Sequence, residues 1–120
     1  MMPVSRGVMD QTNHPFPTYE EFWPHYLRMH SKRETRLLHF AGIFLGACSI
    51  IKGVFAFKVG WILIAPLIGY TFAWFAHVFI ERNQPATFEY PLWSLRGDFQ
   101  MLKLWLTGQL SDELIRNEIH

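Results

Sequence analysis

Two long apolar runs, separated by a single lysine, dominate the middle of this 120-residue chain. They cover residues 37–57 and 59–80, which is 21 and 22 residues. As an α-helix the shorter run would be about 31 Å long, enough to cross the hydrocarbon core of a bilayer. The sequence therefore predicts an all-α protein whose centre is an integral-membrane hairpin of two transmembrane helices.

Basic residues are distributed unevenly around the two runs. Nine lysines and arginines flank the pair, whereas only Lys52 and Lys58 lie in or near the connecting turn. Because segments rich in Lys and Arg stay in the cytoplasm, both termini are predicted to be cytoplasmic. We therefore expect an integral membrane protein. The net charge of +1 gives no support for a nucleic-acid partner.

The segments outside the two runs predict a lead and two surface helices. Residues 1–17 carry three prolines and small polar residues, which is typical of a flexible lead. Thr18 is followed three residues later by a glutamate, as in the capping box that begins a helix, here an N-terminal amphipathic one. Residues 95–107, with Ser94 as cap, have the polar stripe of a C-terminal interfacial helix. Residues 18–120 are expected to form one membrane-embedded helical domain.

Histidine is the informative residue type in the apolar part of the chain. His77 lies near the end of the second run and His39 near the start of the first, so a hairpin places them at the same depth. Ionisable groups inside a bilayer are costly and usually functional. Glu81 follows His77 at i+4 and shares its helix face. Imidazole and carboxylate suit Fe(II), Zn or Mn, and the spacing alone does not choose among these metals.

His30 can join this pair only if the helix is interrupted. It lies nine residues before His39, about 900° of continuous helix, so the two side chains would face opposite sides. Convergence requires a break within the polar residues 31–34. The metal ligands are then His30, His39 and His77, with Glu81 as a further ligand or as support for a ligand histidine. Alternatively, the three histidines hydrogen-bond within the membrane and only stabilise helix packing.

Two stretches resemble a family of short bacterial membrane proteins related to the yeast endoplasmic-reticulum 2-hydroxy fatty acid dioxygenase. Residues 19–42 contain YEEFWPHYLRMH and RLLHFAG, and residues 69–108 contain His-x3-Glu-x-Asn-x-Pro-Ala. The resemblance covers about three quarters of the chain. The chain has Lys32 and Thr35 where the yeast-type pattern has asparagines.

The resemblance implies a non-haem iron dioxygenase of fatty-acid α-oxidation. Such an enzyme uses O₂ to shorten a 2-hydroxy fatty acid by one carbon. The resemblance also implies that His30, His39 and His77 hold Fe(II). Glu81 and Arg82 are then the catalytic candidates, Glu81 as ligand or support and Arg82 as a partner of the substrate carboxylate. The acyl chain of this lipid substrate would lie along the apolar hairpin.

Two other classes of function remain open on the sequence. A haem-binding membrane electron carrier would use His39 and His77 as axial ligands on facing helices. A non-catalytic membrane lipid-binding protein would need no metal. Two membrane helices and an interfacial helix enclose little volume, so a homodimer is compatible with every one of these functions.

Overall fold

The computed structural model describes residues 16–119, so the flexible lead predicted for 1–17 lies almost entirely outside the described residues. Within them every regular element is helical, as predicted. The chain divides into two compact units. His30–Pro85 form one, here termed the histidine unit; residues 16–29 and 86–119 belong to the other, termed the aromatic unit.

The two apolar runs are helical almost throughout, and shorter helices precede and follow them. Connections between successive helices are only a few residues long, as is usual in compact helical proteins. In chain order the elements are α1 (Tyr19–Arg28), α2 (Arg33–Ala56), α3 (Val59–Leu63), α4 (Ala65–Phe75), a π-helical segment (Ala76–Glu81), a 3₁₀ turn (Ala86–Phe88), α5 (Pro91–Leu106) and α6 (Leu110–Arg116).

In the histidine unit, α2 packs antiparallel against α3 and α4 through small residues. Gly42 faces Gly69, and one turn further along α2 Gly46 faces Ala65. A methyl group added at Gly42 would lie 3.1 Å from the carbonyl oxygen of Gly69, so glycine permits this close approach. The chain reverses after Phe57, which takes the left-handed conformation (φ 56°) that often ends a helix.

Two helical stretches of this unit are long and apolar enough to cross a membrane. They are Arg33–Ala56 and Val59–Glu81, which coincide with the two predicted spans. Their apolar side chains are largely exposed: Phe44 and Phe55, for example, expose 66% and 80% of their surface. A helix at the core of a water-soluble protein buries such a face. The exposed apolar surface is therefore consistent with a lipid environment.

The aromatic unit is built on the packing of α1 against α5. Thr18 begins α1 as predicted, because its Oγ1 accepts the backbone N–H of Glu21 at 3.2 Å. Phe22 and Tyr26 on α1 are fully buried. On α5, a methyl group added at Gly97 would lie 2.8 Å from a ring carbon of Tyr26, so the two helices meet where α5 has no side chain.

Helix α5 begins earlier than the sequence predicted. It starts at Pro91, so the boundary predicted for 95–107 is wrong, and Tyr90 rather than Ser94 precedes the first turn. Proline suits this position because it has no N–H to leave unpaired and its φ is already helical. Ser94 is buried inside the helix, with its hydroxyl 3.4 Å from that of Thr87. The exposed face of α5 carries Leu92, Leu95, Phe99 and Leu106.

Candidate metal centre

Three buried histidines meet in the histidine unit. Nε2 of His30 lies 3.1 Å from Nε2 of His39 and 3.1 Å from Nε2 of His77. The rings are steeply inclined to one another, with centroids 4.5–5.0 Å apart. None of the three histidines exposes more than 4% of its surface. The structure thus brings together the three histidines proposed from the sequence, while metal binding by them remains a prediction.

His30 reaches this cluster because the chain is not helical around it. Residues 29–32 lie between α1 and α2, which is the interruption that convergence required. Lys32 has an extended backbone (φ −88°, ψ 139°) immediately before α2. Nη1 of Arg36 donates to the carbonyl oxygens of His30 at 2.8 Å and Ser31 at 2.9 Å. The first turn of α2 therefore holds the backbone that presents His30.

Glu81 supports the same turn from the other helical stretch. One carboxylate oxygen accepts the backbone N–H of Lys32 at 2.5 Å, and the other accepts the hydroxyl of Ser31 at 3.2 Å. The sequence predicted that Glu81 shares a helix face with His77, as a further metal ligand or as support for a ligand histidine. Its hydrogen bonds go to the backbone and side chain beside His30, which is a supporting arrangement.

A backbone carbonyl orients the ring of His39. Nδ1 of this ring lies 2.8 Å from the carbonyl oxygen of Thr35, one turn earlier in α2. Because a carbonyl oxygen can only accept, Nδ1 carries the hydrogen and donates it. Nε2 of His39 is then the unprotonated nitrogen, and its lone pair faces the cluster.

Asn83 holds His77 by two hydrogen bonds. Its side-chain Oδ1 accepts from Nδ1 of the ring at 2.8 Å, and its backbone N–H donates to the carbonyl oxygen of His77 at 2.9 Å. The backbone bond closes the π-helical segment Ala76–Glu81, after which Arg82 takes the left-handed conformation (φ 63°). Short π-helical turns are frequent at functional sites. Nε2 of His77, like that of His39, presents its lone pair.

Sequence reasoning missed the supporting roles of Thr35, Arg36 and Asn83. Asn83 is part of the quoted His-x3-Glu-x-Asn pattern, so its identity was visible in the sequence. Its bond was not, because α-helical spacing does not reveal a π-helical turn that returns the chain to His77. Arg82, predicted to pair with a substrate carboxylate, has an exposed side chain directly after Glu81.

The family model described as 2-hydroxy-palmitic acid dioxygenase Mpo1-like matches residues 16–110, which include the three histidines and their supporting residues. The chain belongs to the Mpo1-like family. The resemblance seen in the sequence is thereby confirmed. No curated protein and no solved structure matches this Mpo1-like chain.

Two of the three nitrogen pairs in the histidine cluster have a spacing that is compatible with a shared metal ion. Bonds from a metal to imidazole nitrogen are about 2.0–2.1 Å long, so two nitrogens on one ion at an angle of about 95° lie about 3.1 Å apart. Both nitrogen pairs that include His30 have this separation. One hydrogen on His30 Nε2 would face two lone pairs, from His39 and His77, whereas a cation satisfies all three nitrogens. The group could therefore hold a metal ion.

A second buried polar pair of the Mpo1-like chain lies in the aromatic unit. The hydroxyl of Tyr26 donates to Oδ1 of Asp98. Burial raises the pKa of Asp98 from 3.8 to about 7, although the hydrogen bond from Tyr26 lowers it. Burial, followed by the charge of Asp98, also raises the pKa of Tyr26 well above 10. Near neutral pH this carboxyl group is therefore only partly ionised.

Proposed function

We propose that this protein is an Fe(II)-dependent dioxygenase of fatty-acid α-oxidation. The overall reaction converts a 2-hydroxy fatty acid and O₂ into a fatty acid one carbon shorter, CO₂ and water. The observation that carries the proposal is the buried convergence of three imidazole Nε2 atoms in a Mpo1-like chain. Bound Fe(II) supplies the redox chemistry through which O₂ reacts with an organic substrate.

The ligands proposed for iron are His30, His39 and His77. Neutral imidazole nitrogen is a suitable ligand for Fe(II), and three such ligands leave part of the coordination sphere open. Asn83 and the carbonyl of Thr35 keep the hydrogens of two rings on Nδ1, so that both Nε2 lone pairs point inwards. Partners of this kind fix the ring orientation and raise the basicity of the ligand.

Glu81 is proposed as a positioning residue and Arg82 as a substrate contact. Both oxygens of Glu81 already accept hydrogen bonds from Ser31 and Lys32, which favours support of the His30 turn over metal ligation. Arg82 follows immediately and is exposed. A guanidinium group can form two parallel hydrogen bonds with a carboxylate. Arg82 would thus bind the carboxylate of the fatty acid close to the cluster.

The substrate is proposed to lie against the apolar surface next to His77. Phe75 and Phe79 lie on either side of it in the sequence; their ring centroids are 4.9 Å apart, and they are 50% and 63% exposed. Phe72 lies one turn earlier. These rings would offer an acyl chain an apolar surface on the helical stretch that carries His77.

The protein is proposed to work within a bacterial inner membrane, with both termini in the cytoplasm. The asymmetric placement of its lysines and arginines supports this orientation. The two apolar stretches would cross the bilayer as a hairpin, with α1 and α5 at its surface. Residues 18–120 would then act as one membrane-embedded domain, alone or in a homodimer.

Metal analysis of the detergent-purified protein tests the iron site. We expect about one iron per chain in the wild type and strong loss of iron in His30→Ala, His39→Ala and His77→Ala. The matched control is His25→Ala, because His25 lies on α1 and packs against Phe16, outside the cluster. Full iron content in His77→Ala would remove the central claim. Zinc in the same stoichiometry after purification in air would still identify the site as a metal site.

Turnover of 2-hydroxypalmitate tests the reaction. The iron-loaded protein is expected to consume one O₂ for each fatty acid that is shortened by one carbon, measured by oxygen uptake and mass spectrometry of the product. Palmitate, which lacks the 2-hydroxyl group, serves as the matched control substrate. An iron-loaded protein that shortens neither acid would contradict the proposed reaction while leaving the metal site intact.

The same preparations separate the two other functions. A haem carrier would show a Soret absorption band, but the ring of His30 lies 3.1 Å from both other Nε2 atoms, where a porphyrin between His39 and His77 would have to fit. A non-catalytic lipid-binding protein would contain no metal, and His77→Ala would keep its cellular function. The geometry of the cluster therefore favours the non-haem iron proposal over the haem carrier, and the metal content decides between it and the lipid-binding protein.

A further inference from the structure

Thr35 carries a buried hydroxyl group that the fold does not satisfy. The residue is 0% exposed, and its Oγ1 has no hydrogen-bond partner among residues 16–119. Buried polar side-chain atoms nearly always have a partner, and an exception calls for an explanation. Other threonines show the usual solution: the hydroxyls of Thr71 and Thr107 donate to the carbonyl oxygens one turn earlier, at 2.7 and 2.9 Å.

The environment of Thr35 explains why the usual solution is absent there. The residue one turn earlier is Ser31, which lies before the first residue of α2, and its carbonyl oxygen accepts a hydrogen bond from Arg36. The carbonyl oxygen of Thr35 itself is the acceptor for Nδ1 of His39. The backbone carbonyls around Thr35 thus accept hydrogen bonds that hold the histidine cluster, and neither of them pairs with the Thr35 hydroxyl.

The position of Thr35 connects its hydroxyl with the candidate iron site. Thr35 and His39 lie four residues apart in α2 and therefore share a helix face. Side chains of a helix lean towards its N-terminus, so the ring of His39 lies over the turn that contains Thr35. The 2.8 Å bond between His39 Nδ1 and the Thr35 carbonyl shows this directly. The unpaired hydroxyl consequently belongs to the buried region next to a proposed metal ligand.

We propose that Thr35 Oγ1 donates a hydrogen bond to an oxygen atom of the 2-hydroxycarboxylate head group bound at the three-histidine site. This assignment rests on the proposed function. A hydroxyl group is both donor and acceptor, so it can serve either the 2-hydroxyl or the carboxylate of the substrate. Binding pairs a polar atom that the free protein leaves unpaired, and an acid that lacks the matching oxygen forfeits that bond.

Equilibrium binding without turnover tests the assignment. Iron-loaded protein is kept free of O₂, and 2-hydroxypalmitate or palmitate displaces a fluorescent fatty acid. We expect Thr35→Val, which keeps the shape but not the hydroxyl, to bind 2-hydroxypalmitate about tenfold more weakly. Thr35→Ser should stay within about threefold of the wild type, because it keeps the donor. Thr71→Val is the control, since the hydroxyl of Thr71 is exposed and bonded to Leu67.

The two acids identify which oxygen accepts the bond. Weaker binding of 2-hydroxypalmitate alone would assign the 2-hydroxyl group, and equal weakening of both acids would assign the carboxylate. Thr35→Ala repeats the comparison if the valine variant does not fold. Iron-loaded Thr35→Val that binds both acids as the wild type does would overturn the assignment. Wild-type protein without iron would instead overturn the proposed function, so the two failures are distinguishable.

Stability without ligand gives an independent measurement. Replacing an unpaired buried hydroxyl by a methyl group removes an unfavourable burial, so Thr35→Val should have a melting temperature equal to or above that of the wild type. A clearly lower melting temperature would mean that the hydroxyl is satisfied inside the folded protein, which contradicts the proposal. Iron content of each variant, expected to be unchanged, is measured on the same sample.

Discussion

The two units of this protein treat their polar groups in opposite ways. The histidine unit turns large apolar side chains outwards and gathers three imidazoles whose Nε2 atoms converge. The aromatic unit buries its large side chains and gives their polar ends side-chain partners. Those pairs are Tyr19 with Gln100, Trp23 with Glu113 and Tyr26 with Asp98. Buried polar groups in proteins nearly always have partners. The aromatic unit supplies such partners from its own side chains, whereas the three histidines could share a metal ion.

The largest expected effect is a pH-dependent change in the free energy of unfolding that arises from Asp98 in the aromatic unit. An unfolded chain releases the Asp98 proton near pH 4, whereas burial raises the pKa of the folded state to about 7. The free energy of unfolding should therefore fall as pH rises between these values, by on the order of 4 kcal/mol, and then stay level. Urea unfolding between pH 4 and 8 measures it. Asp98→Asn should abolish this decrease.

Control variants show whether Asp98 is responsible for the pH dependence. Asp112→Asn changes an exposed carboxylate on α6 and should leave the decrease in stability intact. An Asp98→Asn protein that loses stability with pH as steeply as the wild type would show that other groups govern the titration. The contrast drawn between the two units would then lose its electrostatic part.

The next effect concerns iron affinity, which should depend on residues that do not touch the ion. Glu81→Ala removes the acceptor that holds the His30 turn, and Asn83→Ala removes the partner of His77. Each is expected to weaken iron binding by about 10–100-fold, as measured by competition with a chelator. Glu81→Gln keeps one acceptor oxygen, and Asn83→Asp keeps an acceptor for Nδ1 of His77, so both should retain more affinity.

Glu34→Ala is the matched control for these variants. Glu34 is an exposed carboxylate in the first turn of α2, near the same turn but without a hydrogen bond to it. Its iron affinity should equal that of the wild type. If Glu81→Ala also matched the wild type, the hydrogen bonds from Ser31 and Lys32 would have no role in presenting His30, and the supporting role of Glu81 would be refuted.

The smallest expected effect compares one tyrosine from each unit. Tyr19→Phe removes the hydroxyl that donates to Gln100 at 2.5 Å and should lower the free energy of unfolding by about 0.5–1.5 kcal/mol. Tyr70→Phe, in the histidine unit, keeps the ring that stacks on Trp74 and should change stability little. Equal losses in the two variants would show that phenol hydrogen bonds are no special feature of the aromatic unit.

Much of the helical structure could be predicted from the sequence, because the start and length of a helix depend mainly on residues that are close together in the chain. The two apolar runs gave the helical stretches, and Thr18 gave the start of α1. The predicted start of α5 was wrong because the helix begins at Pro91, three residues before Ser94, and proline fits the first turn of a helix. Burial decides between them, since Ser94 faces the interior of the aromatic unit and cannot serve as a cap.

The candidate site was only partly predictable for a related reason. Helical angles showed that His30 and His39 can converge only if the chain breaks between them, and the observed break at residues 29–32 overlaps the predicted residues 31–34. The partners of Glu81 lie 49 and 50 residues away in the sequence, beyond the reach of any spacing rule. Asn83 bonds to His77 through a π-helical turn, which has no simple sequence signature.

The position of the three proposed ligands along the chain would also impose an order on biosynthesis. His30 and His39 are translated before most of α2, whereas His77 and its partner Asn83 emerge only after both apolar stretches are complete. A nascent chain that has inserted one helix therefore carries two of the three histidines and cannot close the cluster. Acquisition of iron would mark the finished membrane insertion, so a chain stalled halfway would not hold reactive metal.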